Sequence, residues 1–116
     1  IAVRSTLIAG FPGETEADFQ AAKDLVTGYR FERLGVFPYS QEEDTPAALM
    51  PDQIPAKVTE ARVAELMELQ RAVMRSFHES LVGKTLPVIV DGYDAEAKRV
   101  VARTWADAPE VDGRVL

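Results

Sequence analysis

The sequence predicts an α+β chain: a strand–helix–strand unit within residues 1–52, one long linking helix in 53–82, and part of a small β-barrel in 83–116. Three observations carry that expectation. A nearly unbroken apolar run leads through a Gly/Pro turn into a helical pattern. One amphipathic stretch then continues for about seven turns. After Gly83 the apolar period switches to two.

Residues 1–9 read as a buried strand interrupted by Arg4, Ser5 and Thr6. Strand alternation places Ala2, Arg4, Thr6 and Ile8 on one face and Val3, Ser5, Leu7 and Ala9 on the other. The second face suits packing under a helix. The first carries a guanidinium and a hydroxyl, and a charge on a buried strand needs a partner, so this face is expected to line a polar cavity. Thr15 is a good N-cap, with Asp18 at the capping-box position. Phe19, Ala22, Leu25, Val26 and Tyr29 form the apolar stripe of the helix that follows, and Gly28 is its expected stop. A second buried strand at 34–39 completes a βαβ unit, whose strands should run parallel with a right-handed crossover.

Residues 40–55 read as a loop with prolines at 46, 51 and 55, the last suited to the first turn of the next helix. That helix spans 56–81, with Val58, Leu66, Leu69, Val73, Phe77 and Leu81 near one stripe and Val82 and Gly83 ending it. Beyond it, 85–91 reads as a strand, 92–96 as a turn, 98–105 as a second strand, and 111–116 as the start of a third. Short strands with tight turns suggest a small barrel.

Composition narrows the function classes. The 116 residues are 47% hydrophobic and contain no cysteine, so the chain forms no disulfide and supplies no thiolate to zinc or an iron–sulfur cluster. The single histidine, His78, makes no metal site alone. The net charge of −6 divides into −5 for residues 1–52, zero for 53–82 and −1 for 83–116. No segment is basic, which argues against strong nonspecific nucleic-acid binding, and a basic partner suits this surface better. No apolar stretch approaches membrane-spanning length, and no signal-peptide pattern is evident. The apolar, uncapped start at Ile1 and the strand-like end at Leu116 read as a piece of a longer protein.

Several positions are candidates for chemistry. The 10–15 turn sits at the carboxyl end of a strand, where α/β folds bind ligands. Gly10 and Gly13 permit close backbone approach, Pro12 sets the path past Phe11, and N–H groups at the helix start favour a carboxylate, a phosphate or an adenine edge. A plain tight connection is equally compatible with the motif. Arg4 suits a ligand carboxylate and Thr6 a ribose hydroxyl, against the alternative of a structural acid pairing with Arg4. Phe37 and Tyr39 suit a flat heterocycle or a core. Glu42, Glu43 and Asp44 read as a solvated loop, and His78 as the flank of the long helix. Asp107, Glu110 and Asp112 concentrate carboxylates on one connection beside Trp105, either a solvated turn or an acidic contact surface with an aromatic anchor. No catalytic side chain and no metal ligand is assigned.

The run Arg4-Ser5-Thr6-Leu7-Ile8-Ala9-Gly10-Phe11-Pro12-Gly13-Glu14-Thr15, with Asp18 and Phe19 after it, resembles the fifth barrel strand and following turn of the radical S-adenosylmethionine methylthiotransferases. Leu34-Gly35-Val36-Phe37-Pro38-Tyr39-Ser40 with Thr45-Pro46-Ala47 is similar to their sixth strand and exit loop, and Gly83-Lys84-Thr85-Leu86 to the start of their TRAM β-barrel. Within that family, the stretch from Arg103 to Gly113 resembles the branch that methylthiolates an aspartate of a small-subunit ribosomal protein. The family's transfer RNA enzymes usually carry an aspartate where this chain has Thr6.

The resemblance implies that residues 1–52 are the last βαβ unit of a TIM-like barrel and that 83–116 are part of a TRAM barrel. It implies S-adenosylmethionine as cofactor, held along Arg4, Thr6, Gly10, Phe11, Pro12, Phe37 and Tyr39. It also implies two four-iron four-sulfur clusters in the parent protein, ligated outside this segment. The implied substrate is a basic ribosomal protein, docked by Trp105, Asp107, Glu110 and Asp112, in the cytoplasm and without a membrane. The segment alone is expected to be inactive. Asp44 stands where the family commonly has glycine, which leaves that loop's geometry open. A transfer RNA methylthiotransferase, or a noncatalytic module docking a basic protein, are the alternative readings.

Overall fold

The computed structural model describes residues 1–109 and 112–116. The chain divides into two compact units, one of residues 3–80 and one of residues 1–2 with 81–116.

In the first unit, β1 (Arg4–Ala9) pairs in parallel with β2 (Arg33–Pro38), in register from Arg4 opposite Arg33 to Ala9 opposite Pro38. The strand starts at Arg4 rather than Ile1 because the ladder has no partner residue before Arg33. Between the strands lies α1 (Glu16–Tyr29). Its start is the expected capping box: the Asp18 N–H donates to the Thr15 hydroxyl at 3.1 Å, and the Thr15 N–H donates back to the Asp18 carboxylate at 2.9 Å. Its end is not at Gly28. The helix runs through to Tyr29 and closes on Arg30 at φ 53°, whose N–H reaches the Val26 carbonyl. Closing there brings Phe31 onto the core and stacks its ring on Tyr29 at 6.0 Å.

α2 (Ala56–Leu81) has the length the sequence pattern predicts. Its buried face matches the apolar stripe only in part, at Leu66, Val73 and the partly buried Leu69. Thr59, Leu66, Gln70 and Val73 are buried, while Val58 is exposed. The two polar residues are inside for different reasons. Gln70 Nε2 donates to the Phe31 carbonyl at 2.9 Å, and Thr59 fills the space beside Gly10. The core joins β1, α1, β2 and α2 through Ala9, Phe19, Val26, Leu34, Val36 and Leu66. The 40–55 connection is not wholly loop. A 3-10 turn covers Pro46–Leu49, started by the Thr45 hydroxyl, which accepts the Ala48 N–H, and by Pro46 in its first turn. Asp44 adopts φ 62°, the left-handed conformation that glycine provides freely.

In the second unit, β3 (Ile89–Asp94) pairs antiparallel with β4 (Arg99–Arg103). The hairpin is offset from the sequence expectation. Residues 85–88 precede the strand, and the turn is at 95–98 rather than 92–96. A register shift between Val90 and Gly92 leaves Asp91 as the extra residue of a bulge, and Gly92 pairs with Val101 inside the strand rather than forming the turn. The Asp94 carboxylate accepts the Ala97 N–H at 2.9 Å and organises the real turn. The expected third strand is reduced to a single bridge, Ala102 opposite Val115, with reciprocal bonds of 3.0 and 2.9 Å. Its expected beginning at Val111 lies outside the described residues.

Candidate functional site

The turn after β1 was expected to present free N–H groups to an anion. The structure uses four of them internally. Gly10 N–H donates to Glu14 Oε2 at 3.0 Å, Gly13 N–H to the Asp52 carbonyl at 2.9 Å, Glu14 N–H to the Phe11 carbonyl at 2.9 Å, and Thr15 N–H to Asp18. A tight turn must satisfy its own backbone donors, and Glu14 brings a carboxylate to do so. Gly10 and Gly13 have φ of 80° and 81°, so glycine is required at both on conformational grounds. Their surroundings differ. A Cβ on Gly10 would lie 2.2 Å from Thr59 Oγ1, whereas one on Gly13 would meet nothing within 4 Å. The close approach that Gly10 permits is therefore to α2.

The two faces of β1 divide as the alternation predicts. Ser5, Leu7 and Ala9 turn inward, and Arg4, Thr6 and Ile8 turn outward. The outward face is exposed rather than enclosed in a cavity. Phe37, opposite Ile8 in the ladder, is exposed beside it. At the carboxyl end, the Tyr39 N–H donates to the Ala9 carbonyl at 2.8 Å, extending the sheet by one bond. The Phe11 and Tyr39 rings meet edge to face at 5.4 Å and 72°. Pro12 is buried. The Tyr39 hydroxyl is buried without a hydrogen-bond partner among the described residues. Exposed rings and an unanswered phenol thus stand at the carboxyl end of the parallel pair, while Thr6 lies mid-strand and Arg4 at the opposite end of the same outward face.

The turn is braced from behind by α2. Arg62 Nη1 lies 2.6 Å from Glu14 Oε1 and 3.2 Å from the Glu14 carbonyl, and Nη2 reaches Glu16 at 3.3 Å. The Arg62 and Glu14 side chains are only 11% and 13% exposed. The guanidinium carbon also sits 5.2 Å from the centre of the Phe19 ring. At the helix start, the Thr15 backbone N–H and then its hydroxyl hold the Asp18 carboxyl below its usual range. At the other end of α1, a groove of about 370 Å³ is lined by Tyr29, Arg30, Glu32, Val73, Ser76, Phe77 and Ser80, none of them a sequence-predicted site residue.

In the second unit, two carboxylates of the acidic connection each answer neighbouring hydrogen-bond donors. Asp107 Oδ2 accepts the Thr104 N–H at 3.0 Å and the Thr104 hydroxyl at 2.7 Å. Asp112 Oδ2 accepts the Ala108 N–H at 2.7 Å. These carboxylates shape the loop. Trp105 is more than half exposed, so it is not a core plug. Glu110 lies outside the described residues. Among the described residues, no group of three or more His, Asp or Glu side chains is placed to hold a metal ion, and no helix is long and apolar enough to cross a membrane.

Residues 82–116 match the TRAM domain family. The whole chain is 52% identical over 116 residues to the ribosomal protein uS12 methylthiotransferase RimO of Lachnoclostridium phytofermentans, covering 26% of that protein. It is 50% identical over 117 residues to that of Syntrophobacter fumaroxidans, again 26% of the relative. For Carboxydothermus hydrogenoformans the figures are 48% over 113 residues, 97% of this chain and 26% of the relative. The chain matches the RimO proteins along its entire length. It spans about a quarter of the length of these RimO relatives.

Within this RimO-like segment, the structure brings together Gly10, Phe11, Pro12 and Tyr39, and puts Arg4, Thr6 and Phe37 on one outward face. It keeps Trp105, Asp107 and Asp112 on a separate connection. Glu14, Thr59 and Arg62 escape a reading of the sequence. The signal for Glu14 is its place four residues after a glycine that must donate. Arg62 is 48 residues away from Glu14 and carries no local signal.

Proposed function

We propose that the chain is a segment of a radical S-adenosylmethionine methylthiotransferase acting on an aspartate of ribosomal protein uS12. The observation that carries this reading is the whole-length match to proteins of that name, together with the TRAM match at 82–116. Within it, β1, α1 and β2 are the closing βαβ unit of the parent's barrel, and 83–116 contribute to its TRAM barrel.

The outward face of β1 and β2 fits S-adenosylmethionine. Arg4 offers a guanidinium to the carboxylate of the methionine moiety, and Thr6 a hydroxyl to the ribose. Phe11, Phe37 and Tyr39 offer ring surface to the adenine, and the buried Tyr39 hydroxyl awaits a polar partner. Gly10 and Pro12 fix the turn that limits this face. S-adenosylmethionine supplies the parent with its hydrogen-abstracting power and its methyl group. With no cysteine, this chain does not fit the iron–sulfur clusters, whose ligands belong elsewhere in the parent. The 116 residues alone are therefore expected to cleave no S-adenosylmethionine.

For the protein substrate, exposed Trp105 is the anchor, and the carboxylates of Asp107, Glu110 and Asp112 favour a basic ribosomal protein. Such a reaction belongs to the cytoplasm, where ribosomes are assembled. The test uses the full-length parent with reconstituted clusters, S-adenosylmethionine, and either uS12 or transfer RNA at matched salt. Methylthiolation of uS12, weakened cofactor binding in Arg4→Ala, and weakened uS12 binding in Trp105→Ala are expected. Preferential modification of transfer RNA would sink the reading.

A further inference from the structure

α2 reads in the sequence as a linking helix, yet its Thr59 and Arg62 brace the 10–15 turn. Thr59 occupies the space against which Gly10 closes. Glu14 links the Gly10 N–H, through one carboxylate oxygen, to Arg62 on α2 through the other. Arg62 adds a bond to the Glu14 carbonyl and lies over Phe19, which belongs to the core. The segment leading into α2 adds the Asp52 carbonyl, which takes the Gly13 N–H. The opposite side of the same turn carries Phe11, packed on Tyr39 at the end of the outward face. The turn is thus clamped on one side and presents a ring on the other.

We propose that Arg62 is a positioning residue for the cofactor face: through Glu14 it sets the path of the Gly10 turn, and hence where Phe11 stands. This rests on the reading of that face as the S-adenosylmethionine site. Arg62 reaches the turn through a planar fork, with one nitrogen on Glu14 and the other on Glu16, a geometry that lysine does not reproduce. A carboxylate held between a backbone N–H and a guanidinium has little freedom to rotate. Releasing it frees the turn without removing any group proposed to touch the cofactor.

The experiment measures S-adenosylmethionine dissociation constants and backbone hydrogen exchange across residues 10–15 in the full-length parent and its Arg62→Met, Arg62→Lys, Glu14→Gln and Arg4→Ala variants, well below their melting temperatures. Arg62→Met is expected to weaken binding about tenfold, on the scale of misplacement by remote substitutions, and to speed exchange across the turn. Arg62→Lys should fall between it and the wild type. Glu14→Gln keeps an acceptor for Gly10 but loses the charge pair, so it should weaken binding too and serves if Arg62→Met does not fold. If Arg4→Ala weakens binding while Arg62→Met and Glu14→Gln bind as wild type, the positioning role is wrong although the site stands. A wild-type parent that binds no S-adenosylmethionine, or an Arg4→Ala variant with unchanged affinity, overturns the site and this inference with it.

Discussion

The two units of this chain solve the same problem, burying enough to hold a shape, by different means. Residues 3–80 draw two strands and two helices onto one core, so that Val26 and Leu66 are fully buried. That shelter also accommodates a nearly buried Glu14–Arg62 pair and two buried polar side chains on α2. In the 81–116 unit the buried apolar residues are the small Ala102 and Ala106, while Ile89, Val90, Tyr93 and Val100 stand exposed on the hairpin. Order there comes from carboxylates that accept backbone N–H groups: Asp94, Asp107 and Asp112. The difference teaches that apolar volume decides whether a fold tolerates buried charge. A short hairpin lacks that volume and relies on local hydrogen bonds.

The largest effects that would break this comparison lie in the first unit. Leu66→Ala should lower its stability by about 3 kcal/mol, as large-to-small changes at fully buried sites do, whereas Val90→Ala on the exposed hairpin should change stability by less than about 0.5 kcal/mol. Denaturant titration of the two variants reads the contrast, and equal losses would refute it. Gly10→Ala comes next, at about 2–3 kcal/mol, because it adds left-handed strain to overpacking. Thr59→Ala in the same chain should restore only part of that, since the Thr59 Cβ itself would lie 2.8 Å from the new methyl. Full recovery would show that the Thr59 hydroxyl and methyl alone demand glycine and that the positive φ does not.

In the second unit, Asp107→Ala should cost about 1 kcal/mol through the loss of a cap on the Thr104 N–H, and thermal unfolding measures it. Acid sharpens the comparison by touching both units. The carboxyls of Asp18 and Glu32 in the first unit and Asp94 in the second are held below their usual ranges, chiefly by backbone N–H groups of Thr15, Val3 and Ala97 respectively. A depressed folded pKa means the stabilisation is complete above the unfolded carboxylate range and lost as pH falls through the depressed values. Unfolding followed from about pH 6 to about pH 2 should show Asp94→Asn removing slope from the second unit, and Asp18→Asn from the first. An unchanged slope in either variant would contradict the assignment. The smallest effect is at Asp44: replacing it with glycine should stabilise by no more than about 1 kcal/mol by relieving its positive φ.

Much of the local architecture was legible because it is written in neighbouring residues. The Thr15–Asp18 box, the in-and-out alternation of β1 and the full span of α2 each depend on contacts or periods within a few residues, and the parallel pairing of β1 with β2 follows from the helix that connects them. The errors have a common physical origin. Gly28 reads as a helix stop and Gly92 as a turn, but a glycine that permits a turn does not require one. The helix runs past Gly28 to close on Arg30, and Gly92 pairs with Val101 inside the strand.

The order of elements, the cap chemistry and the sharing of one face by Arg4, Thr6 and Ile8 follow from the sequence alone, since backbone sterics and alternation act over short range. Tertiary structure alone decided that Thr59 and Gln70 would be buried in place of Val58, that the Gly13 N–H would be taken by the Asp52 carbonyl, and that Arg62 would close the clamp on Glu14. Each of these depends on groups tens of residues apart meeting across a packed interior. There an unpaired polar atom is expensive, and the side chain that can satisfy it wins over the one whose hydropathy fits.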